Sequence, residues 1–235
     1  MTPDEIVEHA ISTGSTSISY TYTEPTIFFE YAYDTAVLAK QAGIKNVFVT
    51  NGYTTTEALE SIAPYLDAAN VDLKGFSNKA YKEVTGASLE GVLDCLRDYR
   101  RLGIWFEITT LVIPGHNDSE DELKNIATFI ADELGRDVPW HLSAFYPTYK
   151  MLDRPATPVS TLYLARDLGR RAGLKYVYLG NVSDPGSSDT ICPACGQTVI
   201  RRQRLQFIDT ELTGNRCNFC RYELPGVALS GQEGP

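Results

Sequence analysis

Residues 16–50 read TSISYTYTEPTIFFEYAYDTAVLAKQAGIKNVFVT. The stretch opens on Thr16–Tyr22 (TSISYTY), whose β-branched and aromatic residues predict a strand. Pro25 to Ala42 is apolar at helical spacing and stops at Gly43. Asn46–Thr50 (NVFVT) is again a short apolar strand. A strand, a helix and a strand this close together form a βαβ unit, with the helix as crossover between parallel strands.

The same alternation extends on both sides. Upstream, Thr2-Pro3-Asp4-Glu5 is a capping box with Pro at the first helical position. Ile6, Val7, Ala10 and Ile11 form that helix's buried stripe, and Gly14 ends it. Downstream, the pattern predicts helices over 54–65, 88–102, 119–134 and 160–172. Strands are predicted over 69–73, 104–113, 140–146 and 176–179. A parallel sheet with helical crossovers follows, either an open α/β sheet or a β/α barrel. The series starts with a helix, and no strand precedes Thr2.

The composition is that of a globular chain: 235 residues, 43% apolar and 22% charged. Collagen-like, low-complexity and wholly disordered classes are excluded. With 21 Lys+Arg against 30 Asp+Glu the net charge is −9, which repels nucleic acid phosphates. The acidic N-terminus lacks the apolar core of a secretory signal, and no apolar run approaches a membrane span. The default expectation is therefore a cytoplasmic protein with reduced cysteines, no membrane and no nucleic acid partner. From Ile191 onward there are five Arg and no Lys against four acidic residues, with four of the five cysteines. This shift divides the chain into 1–188, a small module over 189–227, and an expected disordered tail over 228–235.

The tail module carries two knuckles, Cys192-Pro193-Ala194-Cys195-Gly196 and Cys217-Asn218-Phe219-Cys220, separated by 21 residues. Two cysteines three apart on a tight turn can both bind one tetrahedral Zn²⁺, and a second such turn closes the shell. With a β-hairpin between them, this is a zinc-ribbon pattern. Two redox CxxC pairs or four free cysteines are the alternatives. Cys95 lies mid-helix and reads as a buried thiol.

Polar residues gather at the predicted strand C-terminal ends, the edge where parallel α/β architectures build sites. They are Thr23-Glu24-Pro25, Thr50-Asn51-Gly52, Asp72, Lys74-Gly75, Pro114 to Asp118, and Tyr146-Pro147. Glu24 suits an amine, Asp72 ribose hydroxyls and Lys74 a carboxylate; each also fits a turn or cap. His9 reads as exposed on its helix and His116 follows a turn. His141, beside Trp140, suits a core or a catalytic role equally. No Ser/His/Asp set, HExxH, Walker loop or GxGxxG occurs.

The order of these motifs resembles the radical S-adenosylmethionine (SAM) enzymes, and within them the branch of pyruvate formate-lyase-activating enzyme. Thr21-Tyr22-Thr23-Glu24-Pro25 resembles that branch's GGEP motif. Val49-Thr50-Asn51-Gly52 resembles its DTNG, Val71-Asp72-Leu73-Lys74 its LDLK, and Leu111 to Gly115 its VVPG. With the ribbon, the chain is similar to the radical SAM member of the AmmeMemoRadiSam system. The resemblance implies a partial (β/α)6 TIM-like barrel lacking its first strand, followed by the ribbon. It implies SAM contacts at Thr23, Glu24, Thr50, Asn51, Asp72, Lys74 and Tyr146, with Zn on Cys192, Cys195, Cys217 and Cys220. It also implies a [4Fe–4S] cluster that, fed by an electron donor, cleaves SAM to a 5′-deoxyadenosyl radical. That radical would act on a glycyl residue of a partner protein or on a small molecule.

Two departures stand out. Tyr22 and Thr23 replace the motif's glycines, and the cluster-binding CxxxCxxC is absent. In the family that loop precedes the helix with which this sequence begins, so the expectation is an N-terminally truncated chain that does not cleave SAM. The rivals are a non-catalytic barrel with a partner-binding ribbon, and a TIM-like enzyme using Glu24, Asp72 and Lys74 without iron.

Overall fold

The computed structural model describes residues 1–203, 206–227 and Leu229. The tail expectation for 228–235 otherwise lies outside the described residues. The chain forms two compact units, Met1–Leu73 with Ser77–Ile108, and Lys74–Phe76 with the chain from Thr109 onward.

The first unit contains α1 (Pro3–Ser12), β1 (Ser17–Tyr20), α2 (Phe29–Gln41), β2 (Lys45–Thr50), α3 (Thr56–Ile62), β3 (Ala68–Asp72), α4 (Asn78–Thr85) and α5 (Leu89–Arg101). β4 (Trp105–Val112) begins there and ends in the second unit. The second unit adds α6 (Glu120–Phe129), a π-helical turn (Ile130–Leu134), β5 (Trp140–Ala144), α7 (Val159–Ala172) and β6 (Val177–Gly180). It ends in the short strands β7 (Thr190–Ile191), β8 (Thr198–Gln203), β9 (Gln206–Thr210), β10 (Leu212–Thr213) and β11 (Arg216–Cys217).

The large sheet is six-stranded and parallel, in the order β1-β2-β3-β4-β5-β6. Sequential order is the wall of a β/α barrel; a doubly wound sheet would reverse direction part-way. Of the two architectures left open by the sequence, this is the barrel topology. No described helix is long and apolar enough to cross a membrane.

Local chemistry accounts for the elements. Thr2 and Glu5 form the capping box that starts α1. Val7 and Ala10 then pack on Ala39 of α2 and on Ile44. Thr55, Ser77, Ser88 and Ser119 cap α3, α4, α5 and α6 with their hydroxyls. In the second unit, α7 approaches closely at Gly169. A Cβ there would lie 3.1 Å from Val177 and 3.2 Å from the Trp140 ring. Trp140 is fully buried, and its indole N–H donates to Thr110 Oγ1 at 3.0 Å.

Some boundaries differ from the sequence pattern. α2 begins at Phe29 rather than Pro25, because residues 24–27 close into a turn in which Ile27 N–H donates to the Glu24 carbonyl. The 119–134 helix changes pitch, and Gly135 N–H donates to the Ile130 carbonyl, five residues back. α4 was not expected: its polar sequence buries only Tyr81, which leaves little periodicity to read.

At the base of β2, Asn46 is buried with all its side-chain groups bonded, to Tyr20 Oη, the Ala36 carbonyl and the Tyr65 carbonyl. Beside it, Asp67 Oδ2 accepts the Asn46 N–H, and Oδ1 accepts from Lys40 and Lys45. Burial alone would raise the Asp67 carboxyl, but the Asn46 N–H and the two ammonium groups outweigh it and hold the group below its usual range. Stability from a depressed carboxyl is present above the unfolded pKa and lost as pH falls through the folded one. Asp67→Asn is expected to cost about 1–3 kcal/mol in urea unfolding at neutral pH. The difference from wild type should shrink below the unfolded carboxyl's range, at about pH 3.

Candidate functional site

Parallel pairing puts the strand C-terminal ends on one edge of the sheet, and three candidates of the first unit meet there. Glu24 follows β1, Thr50 ends β2 and Asn51 comes directly after it. Glu24 is buried, 7% exposed as a residue. Its Oε1 accepts from Thr50 Oγ1 at 2.6 Å, Thr26 Oγ1 at 2.8 Å and Thr26 N–H at 3.4 Å. Its Oε2 accepts one bond, from Asn51 N–H at 2.8 Å. A carboxylate oxygen has room for two donors, so Oε2 keeps one acceptor position for a ligand N–H.

The turn after β2 is held from below. Gly52 has φ +70°, and a Cβ there would lie 2.7 Å from Val71 and 3.2 Å from Val92. Its N–H donates to Thr50 Oγ1, and Tyr53 N–H donates to Asn51 Oδ1. Thr23 adjoins Glu24, and Asp72 ends β3. Cys95 is buried on α5 with its thiol pushed up to about 12, chiefly by burial.

In the second unit, the Lys74 carbonyl accepts from Asn117 Nδ2 at 2.9 Å. Buried Asn117 also donates to the Leu111 carbonyl and accepts the Ile113 N–H, tying the chain after β3 to the end of β4. Tyr146 Oη donates to the Asn181 carbonyl at 2.9 Å. Thr157 closes the loop after β5, bonding Phe145 N–H and the Val112 carbonyl. The sequence reading missed the supporting roles of Thr26 and Thr157. Thr26 lies two residues past a carboxylate, a detectable side-chain turn signal; Thr157 sits between prolines with no periodic pattern.

Cys192, Cys195, Cys217 and Cys220 converge, their Sγ atoms all within 4.8 Å of one another. Sγ–Sγ distances are 3.6 Å for Cys192–Cys220 and 3.8 Å for Cys195–Cys217. Four thiolates at 2.3 Å from a tetrahedral ion stand about 3.8 Å apart, so this donor set fits a dication. Side-chain neighbours within the cluster split the thiols. Despite burial, backbone N–H groups of Cys220 and Phe219 and the nearby thiols bring Cys217 down to about 7. Cys220 goes up to about 12: the Tyr222 N–H acts to lower it, but burial and the other three thiols prevail. One thiolate deters the next until a cation balances them.

The ribbon is also bound to the sheet. Tyr176 shares a core with Cys192, Val199, Ile200, Leu212, Cys217 and Leu224, and Tyr178 packs against it. Lys175 bonds Asp137 and Tyr222.

A family model described as the radical SAM superfamily matches residues 1–129. The chain belongs to that superfamily. It is 46% identical over 222 residues to an uncharacterized protein of Methanocaldococcus jannaschii, covering 94% of this chain and 66% of that one. It is 30% identical to the isethionate sulfite-lyase activating enzyme of Nitratidesulfovibrio vulgaris, over 61% of this chain and 48% of the relative. Against the pyruvate formate-lyase-activating enzyme of Clostridium pasteurianum identity is 28%, over 43% and 42%. The chain thus spans two thirds or less of the length of these relatives. Its fold resembles a domain of a pyruvate-formate lyase-activating enzyme from Bacteroides vulgatus. That match has a TM-score of 0.62 and 17% identity, covering 70% of this chain and 98% of that one.

The radical SAM family binds SAM and a [4Fe–4S] cluster. The Glu24 group, with its spare acceptor position, fits the ammonium of SAM. The cysteines do not fit the cluster, which needs three thiolates around one cube. Four of the five belong to the ribbon, and Cys95 is buried alone on α5.

Metal analysis of untagged protein is expected to give one divalent ion per chain, lost in Cys192→Ser. Because Tyr176 shares the ribbon core, chelation is expected to quench protection of the β6 amides in hydrogen exchange as well as those of 190–225. Loss confined to 190–225 would show that the shared core holds without metal.

Proposed function

We propose that this chain is the SAM-binding barrel and zinc-bearing ribbon of a radical SAM enzyme of the glycyl-radical-activating type. The Glu24 group carries the reading: a buried carboxylate, fixed by β2 and keeping one acceptor position, lies in the stretch that resembles GGEP. The relatives named as activating enzymes support the reaction class. The SAM ammonium is assigned to Glu24 Oε2, with Thr23, Thr50 and Asn51 shaping that end and Asp72 taking the ribose. Lys74 and Tyr146 are proposed SAM contacts on the resemblance alone. Zinc is proposed for the ribbon because four thiolates and no open position suit a closed structural site. The substrate is proposed to be a partner protein, with a small molecule as the alternative.

SAM supplies a sulfonium whose C–S bond breaks on one-electron reduction. The chain's own part is to hold and orient SAM: Glu24 positions the ammonium, and Gly52 permits the turn that aims the Asn51 N–H at Glu24. The cysteines here do not fit the cluster.

Calorimetry with SAM tests the reading. Wild type is expected to bind. Glu24→Gln, which removes the charge, is expected to bind roughly tenfold or more weakly, the effect of losing one charged hydrogen bond. Absence of binding by wild type overturns the SAM assignment, and unchanged binding by the variant removes Glu24 from the site. After anaerobic reconstitution with iron and sulfide, this chain with reductant and SAM is expected to give no 5′-deoxyadenosine. Catalytic amounts would mean that unconventional ligands hold a cluster.

A further inference from the structure

The two faces of β5 and β6 differ. Trp140 and Val177, opposite each other in register, both face Gly169 of α7. His141 and Tyr178, the next pair, therefore face the other way, as do Ser143 and Gly180. On that face the His141 and Tyr178 rings stack, with centroids 5.0 Å apart and planes at 24°.

The ribbon delivers a cation to the same place. Arg202 of β8 is half-buried, and its guanidinium carbon lies 6.0 Å from the centre of the Tyr178 ring. Arg202 Nη1 donates to Thr190 Oγ1 at 2.9 Å and to the Ser188 carbonyl at 3.1 Å. Thr190 Oγ1 is also 3.0 Å from Tyr178 Oη, so the guanidinium is fixed on both sides. The carboxylate nearest in these contacts, Asp189, is turned to the Arg202 backbone N–H at 2.8 Å.

The remaining donors form one edge. A guanidinium has five N–H bonds, and Nη1 uses its two. Among the described residues, Nε and Nη2 have no protein acceptor and no carboxylate pairs with the group. Nε and Nη2 are the fork that grips an oxyanion through two parallel bonds. Gly180 follows Tyr178 on this face toward the strand's C-terminal end, and the three atoms nearest to a Cβ there all belong to Ser143, the closest at 3.7 Å.

We propose that Arg202, seated on Tyr178 by Thr190, is a binding residue for an oxyanion, a carboxylate or a phosphate, on a ligand that lies over Gly180 and Ser143. The ribbon is then part of the binding site as well as a structural cap. Oxyanion binding does not depend on SAM; only the naming of that ligand as the enzyme's substrate rests on the function proposed above.

Nuclear magnetic resonance of the arginine Nε–H groups tests this in the full chain without SAM. The cross-peak that disappears in Arg202→Lys identifies Arg202. Phosphate and acetate are titrated separately at constant ionic strength, with exposed Arg221 as the internal control. The Arg202 signal is expected to move saturably, at concentrations roughly tenfold below those that move Arg221, as fits a positioned fork against a solvated one. The tighter of the two anions names the group. Arg202→Lys, which keeps the charge without the fork, is expected to weaken binding several-fold as read on the Tyr178 ring signals. A non-saturating shift that tracks Arg221, or equal binding by Arg202→Lys, overturns the proposal. Loss of SAM binding in the separate calorimetry would leave it standing.

Discussion

Parallel strands cannot be joined by a tight turn, so each of β1 to β5 is followed by a helical crossover that returns the chain to the same end. The loops leaving the C-terminal ends therefore share one edge. Those loops are freed from the pairing that fixes the strands, and they hold most of the polar candidates. Glu24, Thr50 and Asn51 lie there because β1 and β2 run the same way in adjacent register, and the sheet brings together residues 26 positions apart.

At that edge the chain invests in fixed geometry. Burying a carboxylate is costly unless its oxygens are satisfied. Glu24 is satisfied by donors from two segments, and this locks the turn before α2 to the end of β2. Gly52 makes the second turn possible, since any side chain there would drive into Val71 and Val92. A group positioned in this way can discriminate a ligand ammonium without first reorganising.

The ribbon belongs to the same construction. Its Cys192 and Cys217 share a core with Tyr176, and its Arg202 rests on Tyr178, so the start of β6 is lined by ribbon side chains. A small module of this size cannot bury enough apolar surface to stand on its own. The four clustered thiols, with the metal proposed for them, on one side and packing against β6 on the other supply what its hydrophobic core lacks.

The alternation of apolar strands with helices, and the capping box at Thr2, were legible in the sequence, because side-chain periodicity and capping act over a few residues. So was the four-cysteine cluster, whose two close pairs flank a small hairpin. The sequence also carried the family, through the TYTEP, VTNG and VDLK segments at successive strand ends. Other features arise only from long-range packing. The sequential strand order, which made a barrel wall of an ambiguous parallel sheet, depends on which strands pair. α4 was hidden because it buries a single side chain, and the early end of β1 and late start of α2 because Glu24 recruits Thr26 into a turn. His141 could be read as core or catalytic until the register set it opposite Tyr178, on the face away from α7. Arg202 looked like one of several ribbon arginines. Only the tertiary structure, by packing the ribbon on β6, left its Nε–Nη2 edge without a protein acceptor among the described residues, because the chain reaches Tyr178 from 24 residues away through a fold that no local pattern encodes.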